Sequence, residues 1–320
     1  MYQIERKENK MEFKRETIVL TPEIAKDFLA NRYEGQRKIN TAYAESLARD
    51  IKSGRWNDDL HGADPIMISP DGKSMNGQHR CMAVILSNEA ILIDVLYDVP
   101  KELFEFIDNG KTRTLSQFVE GPRAKEVSAL ARFANCVEQG IGLSVAIHGY
   151  VENGRVLASR SEILDYVREH EAELRWCAKE GERIYKAFHG GSKTAFTDAI
   201  WTILYAEGSS SKKSVINFVD EIVSDRPHSG MVISGKEKGR NKIIDAARNH
   251  VGIDRKYWIM LVLAMYDFRN STRIKLNDND MEKSFAKYDE LSRNLTTKDS
   301  HNSVGKARPE NRSSVLSAVI

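Results

Sequence analysis

Long apolar runs are missing from this 320-residue chain, and no stretch approaches the roughly eighteen residues that a bilayer-spanning helix needs. A membrane-spanning protein is therefore not expected. Residues 1–16 mix both charge signs around no apolar segment, so neither a secretory signal nor a transit peptide is readable, and a cytoplasmic location is expected. Cysteine is scarce as well. Cys81, Cys136 and Cys177 are odd in number, far apart, and form no CxxC pair, which points to reduced thiols in a core rather than a metal or redox site. A dominant charge sign is also lacking: the formal net charge of +2 neither demands nor excludes a nucleic-acid partner. No internal repeat and no HNH word are present. What remains, 41% apolar and 29% charged residues, describes a globular chain long enough for two ordinary domains.

The first 120 residues read as a compact α+β unit. Thr17 to Leu20 has the composition of a short strand. Thr21-Pro22-Glu23 then supplies an N-cap, a first-turn proline and a first-turn acid for a helix to about Ala30. Ala44, Leu47, Ala48 and Ile51 fall at helical spacing, giving a helix over 41–53 with Gly54 after it. Pro65 to Ile68 reads as a strand turning at Ser69-Pro70-Asp71-Gly72 into a hairpin arm over 73–75. A helix is expected over 78–87, the strongest strand over 91–99, and a helix over 100–107. Beyond Gly121 the period changes to 3.6 residues over 126–139, 160–187, 195–207, 214–223, 239–250 and 254–268, which predicts an all-helical domain over 121–293. The polar stretch 294–320 is expected to be a disordered tail.

Ser74-Met75-Asn76-Gly77-Gln78-His79-Arg80 interrupts this apolar pattern where a strand hands over to a helix. A helix N-terminus exposes backbone N–H groups and the positive end of its dipole, which suits a phosphate. Gly77 permits close backbone approach, while His79 and Arg80 add side-chain donors, and the planar guanidinium matches phosphate oxygens. The segment thus has the parts of an anion cradle. Asn-Gly is equally the commonest tight-turn dipeptide, and first-turn arginines are usually solvated, so the surrounding residues have to carry the distinction.

Those residues carry a resemblance. The words Asn31-Arg32-Tyr33-Glu34-Gly35-Gln36-Arg37, then Glu45 to Trp56 (ESLARDIKSGRW), then Asn76-Gly77-Gln78-His79-Arg80-Cys81-Met82-Ala83 resemble the ParB/sulfiredoxin superfamily, most of all its phage-type ParB-like proteins with a DGQHR word. Phe106-Ile107-Asp108-Asn109-Gly110-Lys111-Thr112-Arg113 adds to the likeness, which spans about residues 17–119. It implies a small mixed N-terminal ParB/sulfiredoxin-like domain whose Gly77 to Arg80 turn grips the phosphates of ATP or CTP. Gln78 stands where sulfiredoxins carry their catalytic cysteine, so sulfinic-acid reductase chemistry lacks its nucleophile. Asn76 stands where the family has an acid, which removes one general base or metal ligand. The link after Trp56 is expanded to Asn57-Asp58-Asp59-Leu60-His61-Gly62-Ala63-Asp64, a loop able to bring carboxylates toward a phosphate-bound Mg²⁺, with Asp58 and Asp59 as the candidates.

The resulting expectation is a nucleotide-binding protein with NTPase or phosphotransferase activity. Arg37, Asn76, Gly77, Gln78, His79, Arg80 and Arg113 bind the nucleotide, and Glu34 and His79 are the catalytic candidates. Against each stands a plain alternative: Arg37 as a surface cation, Arg113 with Asp108 and Lys111 as a helix-end charge cluster, Asp58 and Asp59 as solvated decoration. The alternative function is a ParB-like module whose helical domain contacts DNA, for which the basic run Lys236 to Lys242 is a candidate. A nuclease ranks third. Trp176, Trp201 and Trp258 sit on apolar helical stripes and read as core.

Overall fold

The computed structural model describes residues 13–106, 114–148, 158–188, 191–224, 254–269 and 278–302. The fold is mixed α+β, mostly helical, with one three-stranded sheet among the described residues. The described residues divide into two compact units, one holding residues 13–106 with 158–159, the other the described residues from 114 to 148 and from 160 to 302. Residues 158–159, described just before the helix Arg160–Phe188, belong to the first unit. There Ser159 Oγ donates to Asp50 Oδ1 at 2.6 Å with both residues buried.

In the first unit β1 (Lys14–Leu20), α1 (Pro22–Ala30), α2 (Thr41–Lys52), β2 (Ile66–Met67), α3 (Gln78–Ser87) and β3 (Ile91–Tyr97) follow the expected order. The sheet order is β1-β3-β2, with β1 antiparallel and β2 parallel to β3. The β-branched run of β3 takes the central place that its composition favours, burying Ile91, Ile93 and Val95. Helices α1 and α2 pack on α3. Leu20, Ala25, Ala48, Ile51, Ile66, Cys81, Ala83 and Val84 close the core with them. The hairpin after β2 forms, with Ser69 N donating to Lys73 O at 2.9 Å and Met75 N to Met67 O at 2.7 Å. The helix expected over 100–107 is instead a 3₁₀ segment, Lys101–Phe106.

Strand β2 is too short to cover its edge of β3. The loop 57–64 takes over there: Leu92 N donates to Asp58 Oδ1 at 3.0 Å, and Asp94 N to His61 O at 3.2 Å. Strand amides at a sheet edge need acceptors, and this expanded loop supplies them in place of a longer strand.

The second unit contains α4 (Ala124–Glu138), α5 (Leu143–His148), α6 (Arg160–Phe188), α7 (Lys193–Glu207), α8 (Lys212–Ser224), α9 (Arg255–Asp267) and α10 (Asp278–Asn302). Helix α7 is buried continuously from Ala195 to Leu204 and packs against α4, α6, α9 and α10. Gly181 lets α6 lie directly on α7, where a Cβ would come within 2.7 Å of Thr197 N. Trp201 and Trp258 are buried in this core. Two differences from expectation concern α10. The sequence pattern did not suggest it, and it runs to Asn302, so the stretch from 294 is helical that far rather than structureless. The helix expected over 239–250 lies outside the described residues.

Candidate functional site

The first unit holds a cavity of about 470 Å³, a volume within the range of small-molecule sites. Its polar wall is the start of α3, from Asn76 to Arg80, with Gln36, Arg37 and Asp64; Tyr43, Trp56 and Phe104 give it an aromatic side, and Leu47 and Met75 an apolar one.

Gly77 makes this wall possible. It sits at the N-cap of α3 with φ +83°, in the left-handed region that glycine enters without steric cost, and it leaves the helix end with no side-chain cap. By contrast α1, α2, α7 and α9 are capped by the side chains of Thr21, Asn40, Ser192 and Asp254. A Cβ at position 77 would also stand 2.8 Å from Ile66 Cγ1, so backbone and β2 approach each other closely there. The expected anion cradle therefore opens onto a concave space.

The side chains around it have distinct roles. Arg80 has only 12% of its side chain exposed; its Nη1 donates to Asp64 O and stands 3.4 Å from Asp64 Oδ2. Asn76 is a scaffold: its Oδ1 accepts from Met67 N at 2.8 Å and its Nδ2 donates to Pro65 O at 3.1 Å, which ties the turn to β2. A carboxamide can make both bonds, whereas a carboxylate could make only the one to Met67 N. His79 Nε2 accepts from Asn40 N at 3.0 Å and its ring meets Tyr43 edge-on, so that nitrogen fastens α2 to α3. Gln78 is 6% exposed and donates through Nε2 to Arg37 O at 2.9 Å, holding the Arg37 backbone at the cavity. Gln36 does the same to Ser74 O.

Three expected site residues lie elsewhere. Glu34 does not line the cavity; its side chain is 91% exposed and pairs with Lys73 at 3.2 Å. Asp58 closes the β3 edge, and Asp59 is exposed on the 3₁₀ turn Asp58–Leu60. The acid that does reach the cavity is Asp64, at the other end of the same loop. Its place opposite Arg80 has no local sequence signal, because it depends on how the loop crosses β3. Tyr43, Trp56, Phe104 and Gln36 likewise reach the cavity without a local sequence signal for it. Arg113 and the run 236–242 lie outside the described residues.

Among the described residues, no group of three or more His, Cys, Asp and Glu side chains could hold a metal ion, and no helix is long and apolar enough to cross a membrane. Cys81 lies on the core face of α3, where burial pushes its thiol up to about 12, far from a reactive thiolate.

The same unit contains a second polar cluster. Asp94, buried on β3, accepts from Thr17 Oγ1 at 2.7 Å and from Arg15 Nε, and lies 2.6 Å from His61 Nδ1. The hydroxyl of Thr17 first, with the Arg15 and His61 bonds, holds this carboxyl down at about 2 against the cost of desolvation. It pins the loop 57–64 to the sheet and so sets where Asp64 stands.

The chain matches no protein-family model, no curated protein and no solved structure.

Proposed function

We propose that the first unit binds a nucleotide, ATP or CTP, with its phosphates at the N-terminus of α3 and its base on the aromatic side of the cavity. The observation that carries this reading is the uncapped start of α3, with a shielded guanidinium beside it, forming one wall of an open cleft of ligand size. Phosphate oxygens would replace Asp64 as acceptors for Arg80 and take the amides of the first turn. The resemblance to the ParB/sulfiredoxin superfamily points to the same ligand. Mg²⁺ would arrive on the phosphates, keeping most of its water, with Asp64 as the protein carboxylate available to it.

Hydrolysis or phosphoryl transfer is the less supported part. Neither catalytic candidate is placed for it, since Glu34 faces away and His79 Nε2 is engaged with Asn40. Binding, with Asp64 as the residue to test for chemistry, is therefore the reading we adopt. Calorimetric titration of the full chain with ATP and CTP plus Mg²⁺ should give saturable binding. Arg80→Ala should weaken it at least about tenfold while the thermal unfolding profile is kept, because a charged hydrogen bond to phosphate is lost. Equal affinity in the variant would remove Arg80 from the site; no heat with either nucleotide would overturn the reading.

A further inference from the structure

Two consecutive residues in the first turn of α3 hold the chain that leads into α2, and they do so with opposite chemistry. Gln78 donates through Nε2 to Arg37 O at 2.9 Å, while His79 Nε2 accepts from Asn40 N at 3.0 Å. A backbone amide can only donate, so this ring nitrogen must carry a lone pair. A ring turned over about Cβ–Cγ would present a C–H to Asn40 instead. The bond therefore sets both the orientation of the ring and its state: neutral, with its proton on Nδ1.

Asn40 is the N-cap of α2, its Oδ1 accepting from Tyr43 N at 3.0 Å. In a capping box the acceptor for the N-cap amide comes from a Glu or Gln three residues on. That residue here is Tyr43, which offers no carboxyl or amide oxygen and meets His79 by its ring edge. His79 supplies the acceptor from another helix. Through it and Gln78, the start of α2 and the backbone of Arg37 are held at the cavity.

We propose that His79 is a positioning residue that works only as the neutral imidazole, so that acidification loosens this cavity wall and weakens nucleotide binding. The inference rests on the nucleotide reading above and adds its regulation. An imidazolium turned toward the phosphates would do the reverse and strengthen binding by its charge. Here a proton on Nε2 would set that N–H against the N–H of Asn40, two donors with no acceptor between them. The added charge would also meet the positive end of the α3 dipole and the guanidiniums of Arg37 and Arg80, which line the same cavity. The other titratable groups lining it are Tyr43, edge-on to the imidazole, and Asp64, paired with Arg80.

Two measurements on the full chain test this. Multiple-bond ¹H–¹⁵N spectra at about pH 8 should show a protonated Nδ1 and a bare Nε2 for His79, and the Asn40 amide shift should follow the titration of that ring. Calorimetric titration with ATP and Mg²⁺ should show affinity falling at least about threefold between about pH 8 and about pH 5.5, the span in which imidazoles change charge. His79→Gln keeps an acceptor at the same reach and takes up no proton, whereas His79→Leu loses the acceptor. The glutamine variant should bind tighter than the leucine variant at the higher pH, and its pH dependence should be flatter than the parent's. Protonation of ATP and of every other group is common to all three proteins and cancels in that comparison. A proton on Nε2 at the higher pH would overturn the assignment. So would an identical pH dependence in the parent and the glutamine variant, or a parent affinity that rises on acidification. Absence of binding at every pH would overturn the nucleotide reading alone, and the positioning role would then be decided by the imidazole and Asn40 spectra.

Discussion

Asp94 in the first unit and Asp198 in the second are both buried aspartates, 2% and 0% exposed, and their environments push them in opposite directions. Asp94 is met by a threonine hydroxyl, a guanidinium and an imidazole and is held at about 2. Asp198, on α7, is raised to about 6 by burial, opposed by Arg255 of α9 at 2.7 Å, while its Oδ1 has no hydrogen-bond partner. Burial alone does not set a carboxylate's character; the number of donors it meets does. Asp198 Oδ1 is sealed in a helical core without a hydrogen-bond partner, and Gln36 Oε1 and Gln78 Oε1 in the first unit are likewise buried without one. The first weakens the fold with nothing to relieve it.

Breaking the second pair should have the largest effect. Arg255 also donates to Ile147 O at 2.8 Å, so Arg255→Leu strands a buried carboxylate and a carbonyl. A loss of about 3–5 kcal/mol in chemical denaturation at pH 7 is expected, shrinking as pH falls through about 6 and Asp198 takes up a proton. A loss under about 1 kcal/mol would show that the pair carries little.

A smaller effect, of opposite sign in the two units, should follow pH. Asp198 binds its proton more tightly when folded, so its contribution is fully present below pH 3.8 and is lost as pH rises to about 6, by roughly 3 kcal/mol at most. Asp94 binds its proton more weakly when folded, so its contribution holds above pH 3.8 and is lost as pH falls toward 2. Hydrogen exchange of α7 and β3 between pH 3 and 7 should show α7 gaining protection on acidification down to pH 4 and β3 losing it only below that. Parallel behaviour of both elements would contradict the assignment.

Much of the first unit was legible because its signals are local. Thr21-Pro22, the Asn-Gly turn and the β-branched run at 91–97 each specify an element within a few residues. The start of α3 was readable for the same reason, since an uncapped Asn76-Gly77 junction before an apolar stripe is itself the local signal. The rest depended on distance. Asp94 meets Arg15, Thr17 and His61 across 79, 77 and 33 positions, and Asp64 reaches Arg80 only because that cluster pins its loop. Helix α10 was missed because Met281, Phe285 and Tyr288, buried at helical spacing, are thinly spread among charged residues. Its apolar stripe is narrow, and packing against α9 rather than propensity sustains it.

Nucleotide binding in the first unit requires the amides that open α3 to receive an anionic ligand. Backbone amide chemical shifts of the perdeuterated full chain, followed through a titration with ATP and Mg²⁺, test this at the atoms concerned. The largest saturable shifts should fall on Gln78, His79 and Arg80, with smaller ones at Tyr43 and Trp56. Shifts absent from this turn, or concentrated in the helical unit, would contradict it.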